Sequence, residues 1–239
     1  MADMIQSVGP ALQALSQQFD TITQNLANTS TIGYKRARTS LVQSLTDDMA
    51  AGAPAGSVTG LGGIDFSPGS LAQTGAPLDL AIEGKGFFVI ETPQGKRYTR
   101  NGSFRLGPTG QLVDSLGEMV GGEDGALTIP PGTPVSKISV SRDGVIMADK
   151  AKVGKLSIVD FTDPKVLQNV GGGFFTAPSS ADPITTKAVL HQGYQESSNV
   201  NGVEELVGLI TVSRMYEANI HMLQTNDDGS KNLLKLAME

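Results

Sequence analysis

The side chains able to do chemistry in this sequence are few, and their spacing suits no catalytic or metal-binding arrangement. There are two histidines, His191 and His221, and no cysteine. A disulfide framework, a thiolate nucleophile, an Fe–S cluster and a zinc ribbon are therefore excluded. His191 precedes a Gln-Gly turn and His221 lacks a carboxylate at helical spacing, so both read as structural or exposed. Glu83-Gly84-Lys85-Gly86 has the look of a phosphate loop. However, no glycine lies five residues before Gly84 and no Ser or Thr follows Lys85, so G-x-x-x-x-G-K-S/T fails and a turn is expected. Gly171-Gly172-Gly173 has no helix behind it to present amides to an anion. Asp227-Asp228 reads as a solvated break in a helix rather than a cation site. No catalytic, cofactor-binding or metal-binding residue is assigned, and the chain is expected not to be an enzyme.

Composition narrows the field in the same direction. The chain has 239 residues, 18% charged, with a formal net charge of -6. That acidic balance argues against a nucleic-acid partner, which needs a basic footprint. No small-molecule substrate is indicated either. The longest apolar run, near Gly86 to Ile90, has the length of a strand, far short of the roughly 20 residues of a membrane helix. The start, MADMIQSVGPALQ, has no basic segment and no continuous apolar core, so a cleaved secretory signal is not expected.

The elements that must position any functional surface differ between the ends and the middle. Ile5, Val8, Leu12, Leu15, Phe19, Ile22 and Leu26 alternate in steps of three and four, an a/d seam over three heptads. Pro10 lies within it, so the helix starts near Gly9-Pro10 or is kinked there. Leu206, Leu209, Ser213, Tyr216, Ile220 and Leu223 repeat the three-and-four spacing at the other end, widened by Val203, Val207 and Ile210. The expectation is an α+β chain. A helix over 1–35 and another over 199–239 form a discontinuous, coiled-coil-like domain, 36–63 is a linker or loop, and 64–198 is an inserted all-β domain.

Turn residues punctuate the β-rich middle. Pro93-Gln94-Gly95, Pro108-Thr109-Gly110 and Arg142-Asp143-Gly144 each separate short strands. Asn101-Gly102 predicts a hairpin between Arg97–Arg100 and Ser103–Leu106. Val153 to Phe161 alternates as one further strand, ending at Asp163-Pro164.

Within the first 34 residues only Asp3 and Asp20 are charged, while Gln, Ser, Thr and Asn fill the non-apolar positions. Such a face suits a helix surrounded by other helices, where amides bond across and no charge must be desolvated. Fixing a helix costs roughly 1–2 kcal/mol per residue in backbone entropy, against about 1.5–3 kcal/mol per buried apolar side chain. One seam on one partner about breaks even, so these termini are expected to gain order on assembly.

Blocks of sequence along the chain then carry a resemblance. Asn25-Leu26-Ala27-Asn28-Thr29-Ser30-Thr31-Ile32-Gly33-Tyr34-Lys35-Arg36 is similar to the signature of bacterial flagellar axial proteins of the rod and hook family. Gly69–Gly75, Pro77–Ile90, Tyr98–Phe104 and Gly110–Val113 resemble the β-region of that family. Gln192–Asn201, with Ser198, Asn199, Val200 and Asn201, followed by Glu204–Val207 and Arg214–Asn219, resembles its last signature. The resemblance implies a structural subunit of the flagellar basal-body rod. Its terminal helices would line the export channel and its β domain would lie outside. Implied partners are other rod subunits, copies of itself and the flagellar export apparatus, with export lacking signal cleavage and assembly spanning the periplasm. Val153–Pro164 and Met222–Asp228 resemble the proximal-rod type more than the distal-rod type, which stays the alternative. The twelve seam residues of the two helices, Ser213 aside, form the expected assembly interface. A β-domain binding module on a coiled-coil stalk is the reading from a different class.

Overall fold

The computed structural model describes residues 2–43, 58–178, 180–186 and 188–237; side chains are described for 9–39, 62–178, 180–186, 188–225 and 228–229. The chain divides into two compact units. One comprises 1–27, 37–64 and 201–239, and the other 28–36 and 65–200.

The helical unit contains α1, Ala2–Ala27, and α2, Gly202–Ala237. Between them in sequence, strands Ala37–Gln43 and Val58–Ile64 pair antiparallel, with Ala37 opposite Ile64 and Gln43 opposite Val58. The stretch expected as linker is thus partly strand. Its Gly-rich second half shows no alternation of its own and takes its register from Ala37–Gln43. Pro10 lies inside α1, which continues through it. Likewise α2 runs unbroken through Asp227-Asp228, where a break was expected.

The expected coiled-coil-like terminal domain is corrected here. Among the described residues there are two α-helices, no coiled coil, and a mostly β-sheet body. Among the described residues, Leu15, Ile22 and Val212, with Leu209 partly covered, form the buried cluster of the helices. The reason lies in α2. At roughly 100° per residue, Val203, Leu206, Val207 and Ile210 fall within one arc opposite Val212. The apparent seam Leu206, Leu209, Tyr216 joins residues of two faces, and only one face packs on α1. No described helix is long and apolar enough to cross a membrane.

The β unit is antiparallel throughout. Its largest sheet runs in the order Gln168–Gly171, Phe174–Thr176, Gly95–Thr99, Phe87–Thr92, Met119–Gly122, Leu112–Val113, Arg105–Leu106, with Ile158–Asp160 branching from Phe87–Thr92. A three-stranded sheet, Ile138–Val140, Val145–Ala148 and Ala151–Lys155, lies beside it in the chain. The chain closes on itself late: Val189–Gln192 pairs with Leu80–Glu83, and Tyr194–Glu196 with Leu71–Gln73. Leu80, Ile82, Phe88, Ile90, Leu112, Ile129, Ile146 and Leu156 are among the residues of one buried core. Phe66, Phe87 and Phe175 meet edge-on at 5.3–6.0 Å, the geometry aromatic pairs favour.

Two turn expectations change. The hairpin forms across Pro93-Gln94, with Thr92 opposite Gly95, and not across Asn101-Gly102. Val153–Phe161 is two strands, interrupted at Leu156-Ser157, because Leu156 bonds to Gly144 and Ser157 to Gly121 instead of continuing one ladder.

Candidate functional site

On the helical unit the expected interface residues divide by burial. Leu15 and Ile22 are buried; Leu12, Leu26, Leu209, Ile220 and Leu223 are half-buried; Phe19, Leu206 and Tyr216 are exposed. The side chains of Ile5 and Val8 lie outside the described residues. Leu15, Ser16, Phe19, Val212, Ser213, Tyr216 and Glu217 line a groove of about 340 Å³ between the two helices. Beyond it, Val203, Leu206, Val207 and Ile210 leave an apolar stripe open on α2. The uncharged polar residues of α1 face themselves as well as solvent. The Thr21 and Thr23 hydroxyls donate to the carbonyls of Gln17 and Phe19, both at 2.8 Å.

Asn25 fastens the hairpin to α1. Its Nδ2 donates to the Ala37 carbonyl at 2.8 Å and its Oδ1 accepts from the Ala37 amide at 2.9 Å, as a paired strand residue would. Only 1% of Asn25 is exposed, so water does not compete. At about 1 kcal/mol per bond, Asn25→Ala should destabilise the helical unit by about 2 kcal/mol, read by thermal unfolding at 222 nm. At the other end, Asn201 Oδ1 accepts from the amides of Val203 at 3.1 Å and Glu204 at 3.4 Å, capping α2.

The remaining signature residues gather in the β unit. Thr31 donates its hydroxyl to Asn28 Oδ1 at 3.0 Å and its amide to the Asn28 carbonyl at 3.1 Å, closing a turn after α1. Gly33 follows with a φ of 68°. A Cβ there would lie 2.4 Å from the Asn101 nitrogen, so the position needs glycine for close approach as well as for conformation. Tyr34 is buried, and its carbonyl accepts from the Asn199 amide at 3.4 Å. Asn199 binds three stretches. Its Oδ1 accepts from the Arg36 amide at 2.7 Å, and its Nδ2 donates to the Asp65 and Ser67 carbonyls at 2.8 and 3.0 Å. Ser198 Oγ accepts from the amide of the buried Val200.

At the centre lies a charge cluster that sequence reading missed. Lys35 Nζ donates to Glu196 Oε1 at 2.6 Å and to the Ser67 carbonyl at 2.8 Å. Arg100 Nη1 bonds Glu196 Oε2 at 3.2 Å, and its Nη2 donates to the Gly84 carbonyl at 2.7 Å. The Gly69 amide adds a further bond to Glu196 Oε1 at 2.9 Å. All three side chains are at most 4% exposed. Burial pulls Lys35 and Arg100 below their ordinary pKa values, while the Glu196 carboxylate pushes each back up. The available signal was a charge inside each of three motif blocks: Lys35 after Gly33-Tyr34, Arg100 before Asn101-Gly102, and Glu196 before Ser197-Ser198-Asn199.

The residues weighed for catalysis are dispersed. His191 Nε2 meets Glu83 Oε2 at 2.6 Å across neighbouring strands, and His221 is exposed on α2. Gly171-Gly172-Gly173 forms the turn before Phe174. Among the described residues no group of three or more His, Cys, Asp or Glu side chains could hold a metal ion.

Known proteins match this arrangement along its length. Residues 5–35 match the family described as flagella basal body rod protein, 81–148 the flagellar hook protein FlgE/F/G D1 domain, and 191–236 the flagellar basal body rod FlgEFG protein C-terminal region. The FlgG rod protein of Buchnera aphidicola subsp. Schizaphis graminum is 32% identical over 94% of this chain and 96% of its own length. FlgF of Salmonella typhimurium is 32% identical over 93% of both chains, and FlgF of Caulobacter vibrioides 30% over 92% of both. The chain belongs to the flagellar basal-body rod family. It is a structural rod protein of the FlgF/FlgG type, and relatives of both names match it at similar identity. The rod-family matches over 5–35 and 191–236 cover the stretches that hold Lys35, Glu196 and Asn199.

Proposed function

We propose that this rod subunit assembles with neighbouring rod subunits, copies of itself included, through the open face of its helices, and that its role is structural rather than enzymatic. The observation that carries the reading is the second apolar stripe on α2. Val203, Leu206, Val207 and Ile210 are all exposed, on the side of the helix away from Val212. A contiguous apolar stripe left uncovered marks an interaction surface, and the uncharged residues of α1 offer hydrogen bonds without a desolvated charge. Of the expected interface residues, Leu206 belongs to this stripe, while the exposed Phe19 and Tyr216 line the groove beside Val212. Passage through the flagellar export apparatus, and a place in the periplasm-spanning part of the rod, belong to the same proposal.

Substitution on the stripe tests it. Ile210 is 54% exposed, so Ile210→Asp should leave the monomer folded by circular dichroism yet abolish its recovery in purified basal bodies. Leu15→Asp cannot serve, since Leu15 is in the internal cluster. Normal incorporation of Ile210→Asp together with Leu206→Asp would overturn the assignment of this face.

A further inference from the structure

We propose that the segment 28–36 is a strap that docks on the β unit as one piece and opens as one piece, held shut by Lys35 on Glu196 and by Asn199. Four bonds donated by backbone amides cross the edge of the strap among the described residues, three to carbonyls and one to a side chain. The Gly33 amide donates to the Glu196 carbonyl at 2.7 Å, and the Arg36 amide to Asn199 Oδ1 at 2.7 Å. In the other direction, the Asp65 amide donates to the Arg36 carbonyl at 2.8 Å and the Asn199 amide to the Tyr34 carbonyl at 3.4 Å. Lys35 adds the ionic contact, buried beside Glu196.

Charge arithmetic makes opening a defined step. Closed, the contacting groups are two cations and one carboxylate, with Asp65 acting on Lys35 and Asp160 on Arg100 from further off. When Lys35 leaves, Arg100 and Glu196 remain as a balanced pair, and Glu196 keeps the Gly69 amide. The Ser67 carbonyl vacated by Lys35 keeps its bond from Asn199 Nδ2. No buried charge is stranded by release, whereas breaking most buried ionic clusters strands one. Lys35 in turn recovers its hydration. The open state therefore costs the strap its own contacts and leaves the sheet core intact, which is the condition for local rather than global opening. The inference does not depend on the rod assignment.

Hydrogen exchange on the full chain tests it with Lys35→Ala and Asn199→Ala. Lys35→Ala removes no partner of the four crossing amides, and Asn199→Ala removes the acceptor of Arg36 alone. A strap predicts that the amides of Gly33, Arg36, Asp65 and residue 199 exchange at least about tenfold faster together in both variants. Amides of the Phe87–Thr92 strand should keep their wild-type rates. Acceleration of Arg36 alone in Asn199→Ala, or no change among the four in Lys35→Ala, would show independent bonds and overturn the proposal. So would equal acceleration of the Phe87–Thr92 amides, since the segment would then have no opening of its own. If Lys35→Ala fails to fold, Asn199→Ala decides on the same readout.

Discussion

Glu196→Gln should destabilise the β unit by about 3–5 kcal/mol, the largest loss expected from any isosteric change in this chain. The amide is the same size as the carboxylate and can still accept a bond, so packing is not what is lost. What is lost is the single negative charge between Lys35 and Arg100, both buried, at 2.6 and 3.2 Å. Two cations would then share a water-poor site. Arg100 cannot retreat, because its Nη2 is engaged by the Gly84 carbonyl and its guanidinium lies 5.4 Å from the Phe87 ring centre. Lys35→Met supplies the contrast. It removes one cation and leaves the Arg100–Glu196 pair balanced, so its cost should be about 2 kcal/mol, that of the two lost hydrogen bonds to Glu196 and Ser67. Chemical unfolding followed by near-ultraviolet circular dichroism of the Phe66–Phe87–Phe175 cluster measures both. Equal losses would mean that geometry, and not charge balance, sets the stability of the cluster.

The difference between these two variants also explains what could be read from sequence and what could not. Helix at both ends, strands between and the family itself are local properties: three-and-four spacing, turn residues and motif blocks in order. Which helix residues are buried is not local. The same spacing that marks α2 as amphipathic cannot tell its packed face, at Val212, from its open one, at Ile210, when both are apolar. The hairpin Ala37–Gln43 with Val58–Ile64 was hidden for a related reason, since VTGLGGI has no alternation and acquires register only from its partner. The charge cluster lay furthest from view. Its ion pairs join residues 96 and 161 positions apart, Arg100 to Glu196 and Lys35 to Glu196. Lys35 next to Arg36 reads in one dimension as an ordinary basic flank after a helix.

Glycine supplies the sharpest separation between what spacing suggests and what the fold requires. Asn101-Gly102 has the composition of a hairpin turn, yet Gly102 is absent from the positive-φ residues and no hairpin forms there. Its hydrogen is needed for contact instead. A Cβ at position 102 would lie 1.8 Å from the Leu80 carbonyl oxygen and 2.9 Å from the Phe88 ring. Backbone passes that closely because the Leu80 amide donates to the Gly102 carbonyl at 2.9 Å and the Phe104 amide to the Leu78 carbonyl at 3.2 Å. Gly102→Ala must therefore push Leu80 away from residues 102–104 and open the core at Phe88, at a cost of about 3 kcal/mol or more. For a chain of this size that lowers the melting temperature of the β unit by roughly 6–12 °C. Gly229 in α2 predicts the opposite sign. Nothing lies within 4 Å of its would-be Cβ, and a glycine inside a helix costs about 1 kcal/mol relative to alanine. Gly229→Ala should accordingly raise the helical signal at 222 nm against heat, while Gly102→Ala lowers the melting of the aromatic near-ultraviolet signal. If both alanines behaved alike, backbone contact at Gly102 would not be what the position is for.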